Sequence, residues 1–318
     1  MNSTKILINK PIDFSIVIPL YSCSFTIKEL TSRLENTLKK LSDNFEIIYV
    51  NDASPENDWE IVTQLANKYN FVKGINLSRN FGQHYAITAG LNYAKGKWVV
   101  VMDGDLQDQP EEIINLFNKT KEGFDIVFAQ RKARQDSYFK KLGSNIFYKI
   151  FSYLTETEQD GSIANFGIYK KVVIDSVLKM KDHIRYFPTM SQWVGFEKTA
   201  IPVEHGKRNE GNSSYSLSKL LSLAFNNMIS FSNKPLKIMV KFGFLIVFIS
   251  IIFALYFLIQ YLKGEIEIIG YTSLIISVWF LSGIIIFILG VIGIYLGKTF
   301  DKVKNRPIYI VKEMINIL

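Results

Sequence analysis

Along residues 1–233, short and continuous apolar runs alternate with longer stretches whose apolar positions recur every three or four residues. The runs FSIVIPL (14–20), FEIIYVND (45–52), VKGINLS (72–78), KWVVVMD (97–103) and FDIVFAQR (124–131) are rich in β-branched residues and predict strands. Residues 26–41, 59–69, 85–95 and 110–122, which separate them, carry the helical period. Strands that are apolar on both faces and joined by crossover helices predict a mostly parallel sheet covered on two sides, an α/β Rossmann-like domain. Ligands of such sheets bind at the carboxyl ends of the strands. That rule selects residues 19–21, 51–54, 78–83, 103–107 and 130–131.

The rhythm changes after residue 212. Leu217, Leu220, Leu221, Ala224, Phe225, Met228, Ile229 and Phe231 recur at helical spacing and predict an amphipathic helix. Just ahead of a spanning segment, such a helix is expected to lie in the lipid interface, although a core-facing helix of the soluble domain has the same pattern. Pro235 is expected to end it and turn the chain into the bilayer. Residues 242–262 and 274–296 then carry no charge over 21 and 23 positions. At ~1.5 Å per residue, either run crosses a hydrocarbon layer of ~30 Å.

Orientation follows from the flanks. Lys234, Lys237 and Lys241 precede the first run, and Lys298, Lys302, Lys304, Arg306 and Lys312 follow the second. The link between them holds Lys263 against Glu265 and Glu267. The positive-inside rule places both outer flanks in the cytoplasm and the link outside. The expected organisation is an α/β domain over 1–212, a juxtamembrane segment over 213–241, a two-helix transmembrane hairpin over 242–298 and a basic cytoplasmic tail over 299–318. No signal peptide is expected, because IDFSIVIPLY is short, contains Asp13 and lacks a small-residue cleavage site.

Composition narrows the classes further. Hydrophobic residues make up 48% of the 318 positions, which excludes a disordered chain. One cysteine, Cys23, excludes a disulfide scaffold and fits a reducing compartment. The formal net charge of +8 asks for an acidic partner: nucleic acid, anionic lipid or a phosphorylated substrate. No stacked-aromatic or recognition-helix motif is present, so nucleic acid is not expected.

Candidate chemistry concentrates in VVVMDGDLQDQPEE (99–112). Asp103 and Asp105, two residues apart at a strand end, can share one hard divalent cation, with Gln107 adding an oxygen. Such a cation would neutralise a diphosphate, the leaving group of a nucleotide-sugar. Gly104 would let a sugar or ribose approach the backbone. The plainer alternative is a polar loop whose acids cap the next helix, a task Asp108 could perform. Asp52, in VNDASPEN, can accept from a nucleobase or ribose, or simply shape the turn before Pro55. Pro19 and Tyr21 end the first strand, where an aromatic ring can pack near a base. Arg79, Asn80 and Gly82 precede a helix start, a place that attracts anions. His84 reads as structural or peripheral. No His/Cys cluster has zinc spacing and no GxSxG elbow occurs. Arg131, Lys132 and Arg134 follow the fifth strand. EHGKRNEGNSSYS (204–216) places Lys207 and Arg208 ahead of the interfacial helix, well sited for a lipid-headgroup phosphate.

Taken in order, IVIPLY, VNDASPEN, SRNFGQHYAITAGL, DGDLQDQPEE, NFGIYKK and KRNEGNSSYSLSKLLSLAFNNMISFSNKPLK resemble family 2 glycosyltransferases that load a sugar onto a polyprenyl phosphate. Dolichyl-phosphate mannose synthase, the bactoprenol glucosyltransferases and the undecaprenyl-phosphate aminoarabinose-type transferases belong to that group. The resemblance implies a GT-A fold, a nucleotide-diphosphate sugar donor, Mg²⁺ or Mn²⁺, and inversion at the anomeric carbon. It implies a polyprenyl phosphate acceptor, undecaprenyl by the two-helix pattern, and an enzyme in the inner membrane with its catalytic domain and C-terminus in the cytoplasm. It also suggests a homo-oligomer, a tetramer. Asp103, Asp105 and Gln107 then look like the metal and diphosphate triad, and Asp52 like the base-reading carboxylate. Arg131 and Arg208 look like phosphate-binding arginines, with Ser214 and Tyr215 in the motif that follows.

Two positions depart from the family pattern. Ser22 and Cys23 follow Tyr21 where PxYNE is usual, and Asn165 stands where many members carry the Asp of a GDF string. A phosphate monoester is anionic near pH 7 and hardly needs a base, so Asn165 is expected to position the sugar. A processive polysaccharide synthase would need more spanning helices and a QxxRW motif, which Gln192-Trp193-Val194-Gly195 does not supply. A non-catalytic nucleotide-binding scaffold or flippase partner is the alternative of another class.

Overall fold

The computed structural model describes residues 11–131, 163–180, 182, 185–204, 206, 234–263 and 270–317. Strands β1 (Phe14–Leu20), β2 (Phe45–Asn51), β3 (Val72–Leu77) and β4 (Trp98–Val101) run parallel, with β1 between β2 and β4. Their crossovers are helices α1 (Ile27–Leu38), α2 (Asp58–Lys68) and α3 (Gln83–Tyr93). After β4 come α4 (Glu112–Thr120), β5 (Ile126–Arg131), β6 (Ile163–Lys170), α5 (Lys171–Lys179), α6 (Phe187–Trp193) and β7 (Lys198–Val203). Two long helices, α7 (Lys234–Leu262) and α8 (Tyr271–Val303), precede a last strand, β8 (Val311–Ile315). The sheet order is β7-β5-β6-β4-β1-β2-β3-β8.

The predicted strands form where β-branched runs can be buried on both faces. Every residue of β1 and β2 is buried. Ile27, Leu30, Leu34 and Leu38 line one stripe of α1 and join the core beside Ile16, Ile18 and Tyr49. Pro19 is accommodated inside β1 because β4 stops opposite Val17. The Val17 carbonyl accepts from Met102 on that side, and Pro19, two residues on, faces the same way past the end of the β4 ladder. Helix α3 sits unusually low on the sheet. A Cβ on Gly90 would lie 2.4 Å from Val17 Cγ1 and 3.0 Å from Val50 Cγ2.

Three parts of the architecture go beyond the hydrophobic rhythm. β6 inserts antiparallel between β4 and β5, which makes the sheet mixed. β7 pairs parallel with β5 at one edge. The segment read from sequence as a basic tail contains β8, which pairs antiparallel with β3 and closes the other edge. Residues from 307 onward therefore belong to the same compact unit as the sheet, whereas α7 and α8 belong to a second unit.

Within that second unit, both helices are longer than the charge-free runs. Pro235, expected to end the preceding helix and turn the chain, is the second residue of α7, a position where its missing N–H costs nothing. The predicted amphipathic helix over 217–231 lies outside the described residues. Both helices are long and apolar enough to cross a membrane. Large side chains such as Phe244, Phe253, Trp279 and Phe287 are exposed along them. That much uncovered apolar surface is unfavourable in water and asks for lipid.

Candidate active site

The carboxyl ends of β1, β2, β3 and β4 carry the loops 21–26, 52–57, 78–82 and 102–111. Three non-glycine residues in these loops hold left-handed backbone conformations: Ser22 (φ 56°), Ala53 (φ 51°) and Leu106 (φ 61°). Each costs of order 1–3 kcal/mol and persists only where the surroundings over-determine it. All three lie at the carboxyl end of the sheet, the end where ligands of parallel sheets bind.

The first two loops are stitched together. Ser22 N donates to Ser54 Oγ at 3.0 Å, Cys23 N to Asp58 Oδ2 at 3.1 Å, and Ser24 Oγ to Glu56 Oε2 at 2.5 Å. The departure Ser22-Cys23 thus works through backbone amides, which any residue supplies. Tyr21 projects from this end, 51% exposed. Burial pushes the Cys23 thiol up to about 12. Pro19, expected to line a cofactor site, is buried within β1 and supports the site from beneath.

Asp52 anchors the third loop. Its Oδ1 accepts from Phe81 N at 2.7 Å and its Oδ2 from Gly82 N at 2.8 Å. Burial pushes this carboxyl up, while those amides and Arg79 pull it down. Asp52 itself is buried, 3% exposed. Arg79 is exposed, its guanidinium stacked 4.1 Å over the Phe81 ring. Gly82 (φ 106°) then turns the chain into α3. His84, in the first turn, packs edge-on against Tyr186 at 4.6 Å. Burial pulls its imidazole down to about 4, and its Nδ1 has no hydrogen-bond partner among the described residues.

The fourth loop carries the acids. Asp103 N donates to Asp108 Oδ2 at 3.1 Å, so Asp108 braces the Asp-Gly-Asp turn rather than capping α4, which begins four residues later. Asp105 Oδ1 accepts from Gln107 N at 3.1 Å. Asp103 Oδ1 accepts from Gln83 Nε2 at 2.7 Å. At Gly104 a Cβ would meet Leu20 Cδ2 at 2.9 Å and Cys23 Sγ at 3.4 Å, so close packing on β1 also favours glycine there.

Asn165 lies in β6, where Gly167 pairs with Val101. Continuing that antiparallel register two residues beyond β4 sets Asn165 opposite Asp103. Arg131 ends β5 opposite Val203. Gly206 N donates to the Gln107 carbonyl at 2.9 Å, which ties the strand exit of β7 to the acidic loop. Arg208, Ser214 and Tyr215 lie outside the described residues. One end of the sheet thus brings together Tyr21, Asp52, Arg79, Asp103, Asp105, Gln107 and Asn165. Gln83 and Gly206 are additions. Gln83 sits inside the quoted string SRNFGQHYAITAGL, but only the packing of α3 over β1 brings it to the end of β4.

A model of the family described as glycosyl transferase family 2 matches residues 15–178. The chain is similar to YkcC of Bacillus subtilis, an uncharacterized glycosyltransferase, at 36% identity over 312 residues, 97% of this chain and 96% of that one. It is similar to the undecaprenyl-phosphate 4-deoxy-4-formamido-L-arabinose transferase of Proteus mirabilis at 30% identity over 306 residues, 95% of this chain and 94% of that one. Among solved structures, the mannosyltransferase PcManGT from Pyrobaculum calidifontis is similar over 72% of this chain and 65% of that one, with TM-score 0.48 and 12% identity.

Proposed function

Because the chain belongs to glycosyl transferase family 2, with a Rossmann-like GT-A fold, we propose that this glycosyltransferase moves a sugar from a nucleotide-diphosphate donor onto a polyprenyl phosphate, with undecaprenyl phosphate as the acceptor and inversion at the anomeric carbon. The observation that carries the reading is the bond from Gly206 to Gln107. It ties Gly206, two residues ahead of Arg208 in the sequence, to the loop bearing Asp103 and Asp105. The relative in Proteus mirabilis, named for undecaprenyl phosphate and matched along 94% of its length, supports the same acceptor.

The acidic loop suits a divalent cation. Two carboxylates and an amide oxygen, from Asp103, Asp105 and Gln107, are hard oxygen donors of the kind Mg²⁺ and Mn²⁺ take. Among the described residues no group of three or more His, Cys, Asp or Glu side chains could hold an ion, so remaining positions would fall to donor phosphate oxygens. When bound, the cation supplies charge stabilisation to the leaving diphosphate.

The rest of the chemistry falls to the chain. Tyr21 offers a ring to the base, and Asp52 holds the 79–82 loop while reading base or ribose. Arg79 and Arg131 add positive charge for the donor phosphates. Arg208 holds the acceptor phosphate in line with the anomeric carbon, which lowers the entropic barrier to attack. An acceptor oxygen forms the new bond as the bond to the nucleoside diphosphate breaks on the opposite face. The acceptor is already anionic near pH 7, so no general base is needed, and Asn165 positions the sugar. Ser214 and Tyr215 complete the acceptor side.

The helix pair is read as a membrane hairpin. Strands β1 to β7 precede the pair and β8 follows it, all in one unit, so an even number of crossings satisfies the connectivity. The lysines at both outer flanks set those flanks in the cytoplasm, in the inner membrane.

A donor screen tests the proposal. Purified protein, undecaprenyl phosphate, Mg²⁺ and a panel of nucleotide-sugars are incubated and the lipid product is read by mass. One donor is expected to yield a sugar–phospho–polyprenol, and Asp105→Ala to abolish it. Product formation that is equal with Asp105→Ala would overturn the role of that carboxylate. Rejection of every donor would favour a non-catalytic scaffold.

A further inference from the structure

We infer that Gln83 is a positioning residue for Asp103, and that its amide sets how tightly the acidic loop takes its divalent cation. The inference rests on the reading of Asp103 as a cation ligand. Gln83 Nε2 donates to Asp103 Oδ1 at 2.7 Å, across twenty positions of sequence.

The backbone that carries Gln83 is held from two directions. Behind it, the Phe81 and Gly82 N–H groups are pinned on the Asp52 carboxylate. Ahead of it, Tyr85 and Ala86 N–H groups close the first turn of α3 on the Gly82 carbonyl at 3.0 and 3.1 Å. One turn and more along the helix, Gly90 seats α3 between Val17 and Val50 with no room for a methyl group. Asp103 is fixed from its other side by the bond from its own N–H to Asp108. Gln83 thus orients the Asp103 carboxylate, while Asp108 holds the backbone that carries it.

The choice of an amide has a chemical reason. A lysine or arginine at this place would neutralise Asp103 and compete with a cation. A neutral N–H donor orients the carboxylate and leaves its charge intact. Groups that orient metal ligands in this way typically govern metal affinity by about 10–100-fold. The same linkage joins the two ends of the donor site: Asp52 holds the turn that aims Gln83, and Gln83 aims Asp103.

The test uses the full chain in detergent with Gln83→Leu. Binding of MnCl₂ is followed by the electron paramagnetic resonance signal of free Mn²⁺, in the presence of UDP, GDP or dTDP. Gln83→Leu is expected to weaken Mn²⁺ binding by about 10–100-fold, because leucine cannot donate to Asp103. Turnover of Gln83→Leu at saturating Mn²⁺ is expected to return to within a few-fold of wild type. Asn92→Ala, which removes a bond from the far end of α3 to Tyr309, is the control. It should lower the melting temperature without moving Mn²⁺ affinity. Wild-type affinity in a folded Gln83→Leu protein overturns the inference, as does an equal loss of affinity in Asn92→Ala. If Gln83→Leu does not fold, Gln83→Met is judged by the same criterion. Mn²⁺ binding that is absent in wild type, or that is present and indifferent to Asp105→Ala, overturns the reading of the site itself, which is a separate outcome.

Discussion

Trp59 on α2 donates its indole N–H to the Glu313 carboxylate on β8 at 3.0 Å, so a residue beyond the second apolar helix is fastened to the sheet domain. Ser78 N donates to the Ile310 carbonyl at 2.9 Å, and Asn316 Nδ2 donates to the carbonyls of Ala66 and Val72 at 2.7 and 3.0 Å. The strand that covers β3 thereby also anchors the start of the 78–82 loop, which leads to Asp52 and Gln83.

Loss of this strand should be felt as instability and stickiness. A chain ending at Arg306 leaves β3 as an open edge, a template for pairing with other chains. It is expected to melt earlier and to self-associate by size-exclusion chromatography in detergent. The milder Asn316→Ala loses two bonds and puts alanine at a φ of 59°, which asparagine tolerates better. It should cost about 1–3 kcal/mol in denaturant unfolding. An unchanged midpoint would show that β8 contributes no stability.

Gly90→Ala sets two effects against each other. Alanine gains up to about 1 kcal/mol in helix propensity. Its methyl would lie 2.4 Å from Val17 Cγ1, on a β-branched side chain of a fully buried strand that has nowhere to move. Overpacking of that kind costs about 1–3 kcal/mol, so the net effect should be destabilising. Lifting α3 also draws Gln83 from Asp103, so activity at limiting Mn²⁺ should fall more than activity at saturating Mn²⁺. Thermal melts and metal titrations of the same preparation check both.

The lone thiol should be inert. Cys23 is raised to about 12 chiefly by burial, against an ordinary value of 9.0. Only the thiolate reacts, so at pH 8 its population falls by about 1,000-fold. Maleimide labelling is expected to be slow in the native protein and fast after denaturation in SDS. Equal rates would show that the β1–α1 loop opens freely.

Acid should weaken the fold through His84. Its folded value of about 4 lies below the ordinary 6.5 because burial disfavours the charged ring. Between these two values the unfolded chain binds a proton that the native protein refuses. Stability therefore falls as pH drops through that window, by up to about 1.4 kcal/mol per pH unit. His84→Phe keeps a ring against Tyr186 and should flatten the melting temperature between pH 6.5 and 4. A profile as steep as wild type would place the acid sensitivity elsewhere.

Much of the fold was legible because burial on both faces writes itself as unbroken β-branched runs. β1 to β5 and α1 to α4 fall where those runs and their periods put them. β6 was not legible, because Asn165 and Gly167 interrupt its apolar pattern and its partners β4 and β5 are set by pairing across the sheet. β8 was not legible either. Its residues Val311–Ile315 hold Lys312 and Glu313 in five positions, as an exposed edge strand can, and resemble a charged tail. The acidic residues of the site could be named from their place at strand ends. Only packing showed that Leu20 and Cys23 also crowd Gly104.

Local order in the chain determined the α/β alternation, the two lipid-length helices and the carboxylates at the end of the fourth strand, since each is a property of neighbouring residues. Tertiary structure decided which side chain orients Asp103, how the chain returns from α8 to the edge of β3, and why Gly90 and Gly104 must be small. Those are contacts between segments far apart in sequence, and their geometry exists only once the helices have settled on the sheet.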